Sequence, residues 1–564
     1  MFVQIRKRRN REKGASLFVA IAGLVWVVIP MMGLFVDLGI LYSAKARLQA
    51  AVDGAALAAA RALNLGQTTA EQATSAKQNA VNWFYANFPP GNWSTTGTLM
   101  DTSDAHVSVV DSPNQANLRQ VTVTASTNVP AWFMRYVGFT STALTVTGQA
   151  SRRDVVAMLV LDRSGSMCSI NGGVPNPPCG ANDGTPCASM ITAAKNFTGA
   201  FAAGRDQIGM LTFADGYYLD SKPTTNFQTL LGYSNASSSG AGAIDNITCA
   251  GGTGTAAAVS MAYNELYKLS EPGAMNILML ETDGLPNTLV YNFWDGSSAA
   301  IQAGADGSNC TDANNKTVAQ GGWKTQASMR GWIPGGISMN TNGTGFMSDI
   351  SNGSIGGFYA ADPSQVVQNG GVPYHIVLFD PRQTSDSSGN SDSVAISNAN
   401  NCAFNGSTTT DYSDFAWLPS QDVFGNQIAP ANEYQSLTLN GSNHLVLTNN
   451  ANTDWPNTHA AALNGTDNAA YNARANATLP AYIFTIGLGG NHGNPPDPVL
   501  LQRMANDPNA DQFNNPAVYP ACSTEPTCIS YASQPQGQFI YAPTSAQLGQ
   551  AFLAISSQIL RLSH

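Results

Sequence analysis

The chain has 564 residues, 43% of them apolar, enough for a substantial buried core and roughly two to four ordinary domains. Only 11% of residues are charged and the net charge is −10, with no basic run beyond the first thirteen residues. That balance excludes a phosphate backbone as the natural partner, and no nucleic acid is expected to bind.

Leu17 to Val36 is twenty residues without a charge. At about 1.5 Å per residue it matches the roughly 30 Å of a bilayer's hydrocarbon layer, and it reads as a transmembrane helix. Arg6, Lys7, Arg8, Arg9, Arg11 and Lys13 precede it against the single acid Glu12, whereas only Lys45 and Arg47 follow closely. Positive residues stay inside, so the expected topology is single-pass in the inner membrane, N-terminus cytoplasmic, the bulk periplasmic or extracellular. A cleaved secretory signal would carry a shorter apolar region and a small-x-small site, but Asp37 and an alanine-rich helical run, Ser43 to Leu63, follow instead. That run is expected to continue the same helix, with a kink at Pro30.

The basic start, Gly14, the apolar span, Asp37-Leu38-Gly39 and the LQ-x-A-x-D-x-A-A-L-A motif at Leu48 to Ala58 resemble the N-terminal region of TadG-like Flp/Tad pilus-assembly proteins. Pseudopilins of that system are similar in carrying a Gly at a prepilin-peptidase cut and a Glu five residues later. Here Val19 stands at that distance from Gly14, so the segment is expected to remain as an anchor.

A second helix is expected over 68–88. The runs HVSVV, RQVTVTAS and ALTVTGQAS, which alternate at period two, then read as strands. Val155 to Leu161 is a continuous apolar run, as a parallel strand buried on both faces requires, and it ends in Asp162-Arg163-Ser164-Gly165-Ser166. A carboxylate and two hydroxyls at alternate positions just past a strand's carboxyl end can point together at a hard cation. Helix and strand alternate afterwards. Met190, Ala194, Phe197 and Phe201 mark a helix, Ile208 to Phe213 a strand, and Ala258, Met261, Ala262 and Leu269 a helix. Asn276 to Leu280 is a strand ending at Glu281-Thr282-Asp283-Gly284. Tyr482 to Leu488 and Phe539 to Tyr541 are strand-like, and Leu548, Phe552, Ile555, Ile559 and Leu562 mark a last helix after Thr544-Ser545.

D-x-S-G-S at Asp162 to Ser166, G-G-T-x-T at Gly251 to Thr255 and T-D-G at Thr282 to Gly284 resemble the metal-ion-dependent adhesion site (MIDAS) of von Willebrand factor A (VWA) domains. The resemblance implies that Ser164, Ser166 and Thr253 supply hydroxyl oxygens to Mg²⁺, or alternatively Mn²⁺ or Ca²⁺. Asp162 and Asp283 would supply carboxylates, at least one through water, on a rim of the sheet rather than in its core. An ion held partly through water stays electrophilic and can accept a partner's carboxylate. Glu281 departs from the family, where this strand position is commonly apolar; a structural ion pair is the expected role, a supporting acceptor for the metal site the alternative.

The fold expected is α/β: an N-terminal transmembrane helix and a small pilin-like α+β region, then a Rossmann-like VWA domain, a parallel sheet flanked by helices, with a large insertion. The boundaries are a cytoplasmic basic segment 1–16, the transmembrane helix 17–36, the TadG-like region 37–150, the VWA domain 154–284 and 480–564, and the insertion 285–479. Within the insertion, His375 to Phe379 is a candidate strand. The N-x-S/T triplets at Asn315, Asn342, Asn405 and Asn464 reflect composition. Eight cysteines (Cys168, Cys179, Cys187, Cys249, Cys310, Cys402, Cys522, Cys528) all lie beyond the apolar span and suit disulfides, with pairing open and no C-x-x-C pattern.

Enzyme signatures are missing from the sequence. There is no G-x-S-x-G, H-E-x-x-H or Walker A loop, Ser164 stands where a haloacid-dehalogenase phosphatase needs a second Asp, and the six histidines show no paired carboxylate. The expected function is a membrane-anchored, metal-dependent binding component of Tad/Flp pilus assembly or surface adhesion. Its partners would be other pilus-assembly or surface proteins that complete the metal shell with an acidic residue. A membrane-tethered VWA adhesin or scaffold unrelated to pili is the alternative, and a metal-dependent hydrolase a lesser one.

Overall fold

A computed structural model describes residues 17–169, 178–214, 217–231, 243–249, 253–292, short segments between 330 and 446, and 451–489, 495–510 and 533–563. The chain forms two compact units, residues 1–153 with 563–564, and residues 154–562.

In the first unit one helix, α1, runs Leu17–Asn64 and is long and apolar enough to cross a membrane. The local departure expected at Pro30 is a π-helical turn, Leu24–Val28, on its N-terminal side, where the ring that lacks an N–H disturbs the ladder. Past the span, Leu48, Ala51, Val52, Ala55, Ala56 and Ala59 bury one face of α1 against helix α2 (Thr69–Asn87) and a sheet. Thr68 and Glu71 form a capping box that starts α2. The sheet is antiparallel, built on β3 (Leu118–Pro130). β4 (Ser141–Arg153) pairs along one edge, and β1 (Thr96–Leu99) and β2 (Val107–Asp111) take successive parts of the other. Val121, Val123, Ala125 and Val129 of β3 point inward at period two, so this α+β arrangement follows directly from the alternation.

The second unit is a six-stranded sheet with helices on both faces. Strands β5 (Val155–Asp162), β6 (Gln207–Phe213), β7 (Tyr217–Thr224), β8 (Met275–Thr282), β9 (Tyr482–Leu488) and β10 (Phe539–Ala542) lie in the order β10-β9-β8-β5-β6-β7. Five are parallel, but β7 is antiparallel to β6, so the wholly parallel sheet expected from sequence is corrected to a mixed one. Only three residues separate Phe213 from Tyr217, enough for a hairpin and far too few for a parallel crossover. Pro223 and Lys222 suit the edge position.

Every residue of β5 is buried because its two faces belong to two cores. Val155, Ala157, Leu159 and Leu161 pack towards α3 (Pro186–Thr198) and the final helix, where Phe197 meets Phe552 edge-on. Val156, Met158 and Val160 pack towards α4 (Thr255–Leu269), α5 (Ala451–Ala475) and α6 (Pro498–Ala505). The final helix, α7 (Ser545–Leu562), buries Leu548, Phe552, Ile555 and Ile559 at the predicted spacing. Helix α3 ends at Thr198, so Phe201 reaches Phe197 from the following turn rather than from the helix.

The C-terminal end of the expected insertion needs a correction. Leu463, Ala469, Ala470 and Ala473 of α5 are part of the sheet's second core, and Tyr263 of α4 donates to Leu479 O. This helix is therefore a crossover that covers the sheet, and it does not belong to an inserted body. Asn464 is fully buried, donates to Ile428 O and Gln435 O, and accepts from Gln435 N–H, which is a structural role. Asn315, Asn342, Asn405 and His375 to Phe379 lie outside the described residues, as do Cys310, Cys402, Cys522 and Cys528.

Candidate metal centre

β5 delivers Asp162 at its carboxyl end, and β8, its neighbour, delivers Thr282 and Asp283 beside it. Asp162 Oδ1 accepts the Ser164 N–H at 2.7 Å, which closes the turn after the strand, and its Oδ2 accepts the Thr282 hydroxyl at 2.6 Å. Both carboxylate oxygens are thus held in place from two strands. Ser164 Oγ and Ser166 Oγ lie 2.7 Å apart, and Ser166 donates to Asp283 Oδ1 at 2.5 Å. Thr253 enters from the loop before α4. Its N–H donates to Asn287 Oδ1 at 2.7 Å while Asn287 N–H donates back to Thr253 O. A side chain at Gly284 would have its Cβ 3.6 Å from Thr253 Oγ1 and 3.9 Å from Ser166 Oγ, so those two hydroxyls flank the same small space. Gly251 and Gly252 of the G-G-T-x-T motif lie outside the described residues.

All five sequence-predicted residues therefore gather at one end of the sheet. The expected rim position is corrected: Asp162 and Asp283 are 0% and 1% exposed, and of the five residues only Ser166 is half-buried. Burial raises the carboxyl of Asp162 to about 6 against the hydrogen bonds that favour its charge. Burial, then the neighbouring Asp162, raises Asp283 to about 8. Glu281 is pushed well above the usual carboxylate range by burial and by both aspartates. The Asp162 backbone is the one group that favours its charged form, and no cation pairs with it among the described residues, so the ion pair expected for Glu281 is not formed there. Two buried carboxylates and three hydroxyls at one point, with the Glu281 carboxyl beside them, make a donor set that fits a hard divalent cation, whose charge would offset theirs.

Sequence reasoning gave no role to Thr282, which locks Asp162, or to Asn287, which locks the Thr253 backbone. It also left the cysteine pairing open. The disulfides are Cys168–Cys179 and Cys187–Cys249, and Cys179 and Cys249 further exchange backbone hydrogen bonds. Cys168 stands two residues past Ser166 and Cys249 four before Thr253, so one disulfide ties the segment after Ser166 to Cys179, the other ties the segment before Thr253 to α3, and the Cys179–Cys249 backbone bridge links the two. The sulfurs of Cys179, Cys187 and Cys249 lie within 4.8 Å of one another, but as disulfide sulfurs they offer no thiolate to a metal. Pairwise replacement by serine is expected to cost about 4 kcal/mol for Cys187 with Cys249 and about 3 kcal/mol for Cys168 with Cys179, following loop length. Urea unfolding midpoints read this, and equal midpoints for wild type and both pairs would show that the staples add nothing.

His106 lies beside a carboxylate in space, its Nδ1 2.8 Å from Asp101 Oδ1. Ser103 also bonds Asp101, and the carboxylate is largely exposed, so the group braces the turn into β2.

An apolar helix continued into a small α+β unit, and a sheet with paired helices bearing these motifs at its carboxyl ends, together define a membrane-anchored chain with a VWA-type domain. Residues 157–285 match the family model for the von Willebrand factor type A domain, and residues 14–62 match that for Flp pilus-assembly TadE/G-like proteins. No curated protein matches the chain. Similar solved structures include the PilB minor pilin from Streptococcus sanguinis, 10% identical over 81% of this chain and 78% of that one, TM-score 0.30. The pilus adhesin SpaC from Lactobacillus rhamnosus GG is 10% identical over 81% of this chain but only 34% of its own, TM-score 0.29. The vWF domain of the type V pili tip protein Mfa5 from Porphyromonas gingivalis is 14% identical over 74% of this chain and 98% of that one, TM-score 0.29. These likenesses are distant, and no role of a residue here rests on them.

Proposed function

We propose that this chain is a membrane-anchored component of Tad/Flp pilus assembly or surface adhesion whose VWA domain binds an acidic group of a partner protein through a Mg²⁺ ion. The observation that carries the reading is the convergence of Asp162, Ser164, Ser166, Thr253 and Asp283 at one end of the sheet, with both carboxylates buried. These five residues would hold the ion, with Mn²⁺ or Ca²⁺ as alternatives. When bound, the ion supplies an electrophilic position for a carboxylate. The protein's part is to fix Asp162 through Ser164 N–H and Thr282, to set Asp283 against Ser166, and to leave the half-buried Ser166 side open to a partner.

The chain crosses the inner membrane once, its basic N-terminus in the cytoplasm and its anchor retained. Two disulfides in the second unit support an oxidising outer compartment for it. A reporter joined after residue 60 is expected to be active only if it is of the periplasmic type; cytoplasmic activity there would reverse the topology.

Recovery of outer-compartment partners on the full chain should fall on chelation and return with added Mg²⁺. Recovery unaffected by chelator sinks metal-dependent binding. If the chelator-sensitive partners include no pilus component, the reading becomes a membrane-tethered adhesin or scaffold outside the pilus system.

A further inference from the structure

The hairpin between β3 and β4, residues 131–140, carries four exposed aromatic side chains, Trp132, Phe133, Tyr136 and Phe139, the last two 80% and 63% exposed. Its tip is a tight turn, Met134–Val137, ended by Gly138 at φ 100°. The tip is fastened to α1 at two places one helical turn apart. Asp37 accepts the backbone N–H groups of Trp132 at 2.9 Å, Phe133 at 3.0 Å and Met134 at 2.8 Å. At Gly33 an added Cβ would lie 2.7 Å from Phe133 Cβ, so glycine there lets the aromatic residue close onto the helix.

Position along α1 gives this attachment its meaning, on the reading that Leu17 to Val36 spans the bilayer. Twenty residues use up roughly 30 Å of hydrocarbon, so Asp37, the first charged residue after the span, marks the boundary with the headgroups. A loop held by Asp37 sits at that depth. Phe35, Leu38 and Tyr42 on other faces of α1 are exposed as well, 68%, 49% and 76%, so apolar side chains surround the helix at the depth where the tip is fastened. Trp and Tyr favour this layer because their rings are apolar at one end and hydrogen-bonding at the other. Arg135, whose guanidinium lies 5.3 Å from the Tyr136 ring centroid, adds a cation suited to lipid phosphate. Four large aromatics on one short loop facing water would leave an apolar patch uncovered.

We infer that the β3–β4 tip is seated in the headgroup layer of the membrane that α1 crosses, with Trp132, Phe133, Tyr136 and Phe139 among the upper acyl chains and Arg135 against phosphate. The partner of this surface is phospholipid. The first unit is then held to the membrane at two points, helix and hairpin, and its rotation about α1 is restricted at the surface.

The test places the photoreactive residue benzoylphenylalanine, one position at a time, in the full chain reconstituted into vesicles of phosphatidylethanolamine and phosphatidylglycerol. The positions are Tyr136, Phe139, Phe35 within the span, and Val110 as a distant exposed control. Val110 pairs with Gln120, ten residues along β3 from Pro130 and so roughly 33 Å from the tip. Lipid adducts are expected at 35, 136 and 139 and not at 110. Adducts at 35 without any at 136 and 139, adducts at 136 and 139 that contain only protein, or equal labelling at 110 each overturn the inference while the span stands. No adduct at 35 overturns the span and the inference with it.

Discussion

Asp283→Asn is expected to weaken Mg²⁺ binding by about 4 kcal/mol, roughly a thousandfold in Kd, the Coulomb energy of one carboxylate and a unit of cation charge about 4 Å apart at an effective dielectric constant near 20. Asn keeps the shape of the side chain and still accepts from Ser166, so the loss isolates charge from packing. Asp162→Asn should act in the same direction, but Asp162 also holds Ser164 N–H and the Thr282 hydroxyl, and an amide cannot accept both through its nitrogen. That variant is therefore expected to lose stability as well as ion. Ser166→Ala leaves every carboxylate in place and should cost only about 1 kcal/mol, the scale of one neutral polar contact. Calorimetric titration of the full chain in detergent with Mg²⁺ and with Mn²⁺ separates these cases. Equal affinity in wild type and Asp283→Asn would place any ion site elsewhere. Lost ion binding with unchanged partner recovery would make the ion structural and remove the adhesion mechanism.

The parts of this molecule that were legible in the sequence are those whose physical cause is local. β5 and β8 read as buried strands because both faces meet apolar layers and the runs carry no charge until their ends. Asp162, Ser164, Ser166 and Asp283 of the candidate site could be read together because they follow directly on those ends, whereas Thr253 comes from the loop before α4. α7 showed its apolar stripe in full. What escaped depends on distant partners. Helix α5 contains Pro456, Gly465 and many Asn and Thr residues, which argue against a helix, and it exists because its alanines and Leu463 fit the sheet beneath α4. β7 carries Asp220, Lys222 and Pro223, unlike a core strand, because it closes an edge. The described cysteine pairs join residues up to 62 apart, and Cys179, eight residues from Cys187 in sequence, is bonded to Cys168 instead. Depth was misjudged for Asp162 and Asp283 for the same reason. A strand's end reads as a rim until the loops from Ser164 and Thr253 are seen to cover it.

Glu281 supplies the second large effect, because it is a fully buried carboxylate that lies beside two others. In chelator the folded domain holds protons on Asp162, Glu281 and Asp283 that an unfolded chain releases near pH 4. Stability from these groups is thus complete below about pH 4 and is lost as pH rises through about 6 for Asp162 and about 8 for Asp283. Each proton so retained tilts stability by about 1.4 kcal/mol per pH unit. The ion-free protein is expected to become markedly less stable between pH 5.5 and 8.5, and saturating Mg²⁺, which binds the deprotonated groups, should flatten or reverse that slope. Glu281→Gln removes one of the three acids while nearly preserving its volume, so in chelator its slope should be shallower and its stability at pH 8.5 above that of wild type. The same change withdraws negative charge from beside the ion, so the gain from added Mg²⁺ should be smaller in the variant. Urea midpoints at the two pH values, each with chelator and with Mg²⁺, measure all of these differences. Parallel pH slopes for wild type and Glu281→Gln in chelator, together with equal gains from Mg²⁺, would show that Glu281 takes no part in the electrostatics of the site.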